Sequence, residues 1–137
     1  MGTLLAPDGL KEQLEIVGSR MKSARGSFLF RRGDEVSGVF LIAQGVIRLG
    51  LERDLPGFPA RRLGPGSVVG LPATLSDTSY SLTAEVLEES EVVHVPRPRL
   101  LALLREKPEL CFHVMAILSE ELTQTRSAIE QTRKSPA

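Results

Sequence analysis

The sequence predicts a mainly β fold with flanking helices: a small sandwich or barrel of short strands, one short helix before it and two helices after it. Three observations carry that expectation. Between Gly26 and Val95, short β-branched or aromatic runs are separated at close intervals by Gly, Pro and Asp. On either side, apolar residues recur every three or four positions, the helical period. The chain has 137 residues, 42% hydrophobic and 25% charged, which suits one domain able to bury its own core.

The elements follow in order. Residues 8–18, DGLKEQLEIVG, space Leu10, Leu14 and Val17 as one helical face, with Asp8 as N-cap and Gly18 as stop. Residues 26–96 hold the strand runs SFLFRRG, GVFLIAQGVIRLGLER, ARRLGPGSVVG, YSLTAEVL and SEVVHVP. The intervening DLPGFPA, with two prolines and a glycine, belongs to a turn. Residues 97–134 are helical. RPRLLALLRE forms a short helix that Lys107 and Pro108 interrupt, and Pro108 suits the first turn of the next.

That last helix carries two stripes. Met115, Leu118, Leu122, Thr125, Ile129 and Thr132 are spaced 3, 4, 3, 4, 3, the seam of a two-stranded coiled coil, so a homodimer through this helix is expected. The polar half of the seam limits its strength. The alternative is a helix that packs only on its own domain. Leu110, Val114, Ile117 and Glu121 form the second stripe, expected to face the barrel.

Charge and composition exclude several classes. Lys plus Arg and Asp plus Glu balance at 17 each, so no overall positive field draws the chain to nucleic acid. One cysteine forms no internal disulfide, and the N-terminus MGTLLAPDGLKEQL lacks the basic start and apolar run of a secretion signal. No run approaches the roughly 18 apolar residues of a membrane span. A cytoplasmic location and no membrane contact are therefore expected.

Taken together, FLFRRGDEVSGVFLIAQGVIRL at 28–49 and LGPGSVVGLPATLSDTSYSLTAEVLEESEVVHVPRPRLLALL at 63–104 resemble the cyclic-nucleotide-binding domain of the Crp/Fnr regulator superfamily. The likeness covers about residues 10 to 130. It implies a double-stranded β-helix, a jelly-roll-like β-roll, with a long C-terminal dimerisation helix. Gly33 with Asp34, and Gly45, supply turns that need positive φ or a side-chain hydrogen bond.

The resemblance places a phosphate-binding cassette at 64–82. In the family this segment carries a glutamate for the ribose hydroxyl and an arginine for the cyclic phosphate, with backbone N–H groups at a short helix completing the cradle. Aligned without gaps, Pro65, Gly66, Gly70, Leu75 and Ser81 match, whereas Leu71 stands in the glutamate's place and Tyr80 in the arginine's. Removing one partner of a buried charged hydrogen bond costs roughly 2–5 kcal/mol, or tens to thousands of times in affinity. Cyclic AMP, or another cyclic nucleotide, is therefore disfavoured as ligand, and no cofactor is expected.

The residual cradle would be Ser81 and the N–H groups after Gly70. Leu71, Pro72, Ala73, Tyr80 and Leu82 would shape an apolar pocket with a phenol at its mouth. Such a pocket takes an uncharged or aromatic small-molecule effector, or is filled by its own side chains.

Other chemistries find little support. Cys111 and His113, two apart on a helix, point about 200° away from each other and do not share a metal. His94 lies in the strand run VVHVP. There is no H-x-H pair for a cupin metal site and no G-x-S-x-G elbow for a hydrolase, so no enzyme activity is expected. In the superfamily a winged helix-turn-helix follows the long helix. The chain reaches Ala137 a few residues beyond it, so it is not expected to read DNA by itself. A free-standing sensor and a piece of a longer regulator both fit.

Overall fold

The computed structural model describes residues 4–54, 56 and 59–134, and the side chains of the last helix as far as Leu122. In chain order the elements are α1 (Asp8–Val17), β1 (Ser19–Ser23), β2 (Phe28–Phe30), β3 (Gly38–Gln44), β4 (Ile47–Gly50), β5 (Arg61–Leu63) and β6 (Val68–Val69). They continue with α2 (Leu71–Ser76), β7 (Thr83–Val86), β8 (Ser90–Pro96), α3 (Arg97–Glu106) and α4 (Leu110–Lys134). The strands form two four-stranded sheets, ordered β1-β8-β3-β6 and β2-β7-β4-β5, antiparallel throughout. This is the expected mainly β roll with helices at both ends.

The differences from expectation are local and have physical causes. Strand β1, SRMKS, carries almost no apolar signal because four of its five residues are exposed, and its pairing with β8 defines it. Asp8 is not the N-cap of α1. Pro7 holds that position without a side-chain bond, and Asp8 sits in the first turn, where its charge suits the helix dipole. Helix α4 starts at Leu110 after a turn over residues 107–110, so Pro108 precedes the helix.

The turns read from the sequence are present. Gly33 and Gly45 have φ of +93° and +101°, and Asp34 Oδ2 accepts a 2.9 Å bond from the Arg31 N–H. At Gly45 a Cβ would lie 2.0 Å from Ser90 Oγ, so a side chain is excluded by contact as well as by φ.

Strands β3 and β8 lie in the middle of one sheet. Five consecutive residues of β3, Gly38 to Ile42, are buried, because β3 packs against α1, α2 and α3 and meets the second sheet where Phe40 lies beside Phe30 of β2. That two-sided burial explains the run GVFLI, which lacks the alternation of a half-exposed strand. Leu10 and Leu14 of α1, Leu100 and Leu103 of α3, and Leu110, Val114 and Ile117 of α4 join the same core.

His94 on β8 pairs across the sheet with Phe40, their rings stacked with centroids 4.7 Å apart. Its Nε2 lies 3.3 Å from Ser37 Oγ. Burial lowers its pKa below the ordinary value of 6.5. As pH falls, the unfolded chain takes up this proton first, so the folded protein loses stability from 6.5 downward until its own His94 protonates. Urea unfolding at about pH 7.5 and about pH 5.5 checks this. The loss between the two should be smaller in His94→Gln, and an equal loss in both proteins contradicts it.

Candidate functional site

The cassette begins where β6 ends. Gly70 adopts φ +92° and caps α2. A Cβ there would lie 3.1 Å from the Gly38 carbonyl oxygen and 3.2 Å from the Tyr80 ring, so the glycine permits close approach. Thr74 donates through both its N–H and its hydroxyl to the Gly70 carbonyl. Asp77 closes the helix in the left-handed region with φ 56°, and the chain then runs through Tyr80 to β7. Arg97 at the start of α3 donates to the Thr74 carbonyl at 2.8 Å and lies 3.8 Å from the Asp77 carboxylate. It holds the end of α2 against α3.

Leu71 and Tyr80, the two residues expected in the family's ionic positions, are both buried. Leu71 is 1% exposed and Tyr80 3%. The Tyr80 ring stacks on Phe30 of β2 with centroids 3.8 Å apart and planes 9° apart. Its hydroxyl donates to the Gly38 carbonyl at 2.7 Å, accepts from the N–H of Ser37 at 3.1 Å and of Gly38 at 3.2 Å, and lies 3.3 Å from Ser37 Oγ. The polar capacity of the phenol is used within the protein. Gly38 makes this possible: with φ +151°, any Cβ would lie 2.1 Å from the Val95 carbonyl oxygen. The phenol expected at a pocket mouth is instead a buried tie between the cassette and the start of β3.

The other expected site residues divide. Ala73 is buried with Leu71, Leu82 is half-buried, and Pro72 and Ser81 are exposed. Thus Leu71, Ala73 and Tyr80 line the core, while Ser81 faces outward just before β7. Sequence reasoning did not find Phe30, Ser37, Gly38 or Arg97 as parts of this arrangement. Their roles depend on which loops meet, and no motif spacing encodes that.

Helix α4 packs against α1 and α2. Leu110, Val114 and Ile117 are buried, as expected for the second stripe, and Glu121 continues it half-buried. Burial pushes the Glu121 carboxyl up and the charge of Arg61 on β5 opposes that; burial likewise lowers Arg61, opposed by Glu121 and Glu120. Of the expected seam, Met115 and Leu122 are 53% and 55% exposed and Leu118 is half-buried. The side chains of Thr125, Ile129 and Thr132 lie outside the described residues. Cys111 is exposed, while His113 lies against Gly9 of α1 with its Nδ1 buried, so the two do not converge.

Comparison with known proteins agrees with this geometry. The family model for the cyclic nucleotide-binding domain matches residues 20–107. The Anaerobic regulatory protein of Bacillus subtilis (strain 168) is 30% identical over 127 residues, covering 91% of this chain and 53% of that protein. The Transcriptional activator protein anr of Pseudomonas aeruginosa is 31% identical over 113 residues, covering 79% of this chain and 44% of that protein. Among solved structures, the Catabolite Activator Protein of Thermus thermophilus superposes with a TM-score of 0.76 at 25% identity, over 93% of this chain and 60% of that one. The chain spans about half the length of the curated relatives it matches. A matching family model, a matching roll and these regulatory relatives give one conclusion: the chain belongs to the cyclic nucleotide-binding domain family and is a regulatory domain of the Crp/Fnr type.

Proposed function

We propose that this domain regulates without gripping a cyclic nucleotide through the family's two ionic contacts, and that it transmits its state through a dimer of α4. The observation that supports the first part is the Tyr80 tie. Leu71 offers a ribose no acceptor, and Tyr80 offers a phosphate no cation while its hydroxyl is engaged by residues 37 and 38. The effector that fits such a lining is uncharged or aromatic.

A second reading is favoured by the same stack on Phe30: the pocket is filled by its own side chains, and the domain serves as a ligand-free dimerisation or interaction module. In either reading the route outward is mechanical. Helix α2 packs against α3 and α4, so a displaced cassette presses on the base of the long helix.

The dimer rests on the outward stripe of α4. Met115 and Leu122 are exposed on the single chain while Leu110, Val114 and Ile117 are buried, which leaves an apolar face without an intramolecular partner among the described residues. Apolar residues at seam spacing pair with a like helix.

Four experiments test this. Titration calorimetry with cAMP and cGMP should give no saturable heat at micromolar concentration; tight, saturable cAMP binding by the unaltered chain overturns the first part. Heat with an uncharged or aromatic metabolite favours a sensor, and silence across a panel favours the ligand-free module. The double variant Leu71→Glu/Tyr80→Arg tests whether restoring the two charges restores cyclic-nucleotide binding. Tyr80→Phe, which leaves the Ser37 and Gly38 groups without their partner, should lose about 1–3 kcal/mol in urea unfolding; an unchanged midpoint contradicts the tie. Met115→Lys/Leu122→Lys should raise the dimer dissociation constant at least roughly tenfold in sedimentation equilibrium, and a dimer of unchanged strength places the interface elsewhere.

A further inference from the structure

Outside the cassette, a surface depression of about 520 Å³ is lined by Arg32, Gly33, Leu51, Glu52 and Arg53. Its two walls are turns, and each is braced by bonds that leave the arginine side chains out. On one wall, Asp34 Oδ2 accepts from the Arg31 N–H, the Arg32 N–H donates to Thr83 Oγ1, and the Gly33 N–H donates to the Tyr80 carbonyl at 2.8 Å. On the other, Arg48 donates to the Leu51 carbonyl at 2.9 Å and to Asp54 Oδ1 at 2.7 Å, fixing residues 51–54 at the end of β4.

Other arginines of the roll have work within the protein, while the side chain of Arg62 on β5, like those of Arg32 and Arg53, makes no ion pair or hydrogen bond among the described residues. Arg20 pairs with Glu15 and Glu91, Arg48 with Asp54, and Arg31 lies over the Phe28 ring. Among the described residues, the guanidinium groups of Arg32 and Arg53 make no ion pair or hydrogen bond. Two exposed guanidinium groups without an ion pair or hydrogen bond among the described residues, carried on braced turns that line a volume within the range of small-ligand sites, are available as donors to an oxyanion. Glu52 on the same wall repels a bare anion and accepts from a hydroxyl or ammonium group.

We propose that Arg32 and Arg53 form a second ligand site, separate from the cassette pocket, for a small phosphate monoester that carries a hydroxyl or ammonium donor for Glu52. The site is joined to the cassette by backbone bonds. The turn that carries Arg32 is bonded to both polar groups of the Tyr80 backbone, since the Tyr80 N–H donates to the Asp34 carbonyl at 3.1 Å and the Tyr80 carbonyl accepts from Gly33. A ligand drawing Arg32 toward Arg53 therefore pulls on the residue that fixes the cassette.

The test is a titration of the full chain with glycerol 3-phosphate, followed by amide chemical shifts, against sodium chloride at matched ionic strength. Saturable shifts at residues 32–33, 52–53 and 80 are expected with the ester and not with chloride. Arg32→Gln and Arg53→Gln should each weaken the apparent affinity roughly tenfold, while Arg62→Gln, at an exposed position of β5 that does not line the depression, should leave it unchanged. Among the described residues neither arginine side chain makes an ion pair or hydrogen bond, so unaltered thermal midpoints are expected for both variants. Equal shifts with chloride, saturation centred on other residues, or wild-type affinity in both variants overturns the proposal. Saturation equally strong with inorganic sulfate overturns the role of Glu52 and with it the ester.

Discussion

The hydroxyl of Tyr80 is the constraint on which the arrangement around the cassette depends. It bonds three backbone groups of Ser37 and Gly38, where β3 begins, and its ring lies flat on Phe30 of β2. A residue at the end of a loop thereby joins one strand from each sheet. The fit requires glycine at 38, where a Cβ would run into the Val95 carbonyl, and at 70, where one would crowd both the Tyr80 ring and the Gly38 carbonyl. A buried hydroxyl with all its bonds made is stabilising, and the same hydroxyl removed leaves backbone groups unpaired. The cassette is thus fixed by the protein's own atoms.

From that fixed point, contact runs outward through helices. α2 packs against β3, α3 and α4, and Arg97 ties the end of α2 to the start of α3 through the Thr74 carbonyl. α4 rests its apolar stripe against α1 and α2, and Glu121, one turn beyond Ile117, feels the charge of Arg61 on β5. The long helix therefore touches the roll in two chemically different ways, by apolar packing near its start and by charge further along. The first is insensitive to salt and the second weakens with it.

Much of the fold was legible because its signals are local. Glycines at turns, a shift from strand to helical period at Arg97, and the proline at 108 mark boundaries without reference to tertiary structure. Strand β1 was not legible, since SRMKS is polar and becomes a strand only by pairing with β8. The cassette could be located, and the absence of its two charges seen, by counting from Gly70. The destination of the Tyr80 side chain could not be counted. A tyrosine after four polar residues reads as a surface group until Phe30, Ser37 and Gly38, forty or more positions earlier, are brought beside it. The depression between Arg32 and Arg53 was equally invisible, because it lies between two turns that the sequence treats separately.

A tyrosine where the resemblance expects an arginine also changes what an empty site costs. An arginine in the same buried position carries a charge that only an anion can satisfy, so the free domain bears a desolvation penalty that ligand removes. Binding then supplies a large difference between two states, which is what shifts a population. Tyr80 carries no charge and meets its partners unaided, so the free domain already sits in a satisfied state. Any effector in the cassette pocket must first compete with three internal hydrogen bonds and an aromatic stack, and only its surplus over those can move the cassette. Bonds to the Tyr80 backbone from the turn at residues 33 and 34 avoid that competition, because they act on the same residue without displacing its side chain.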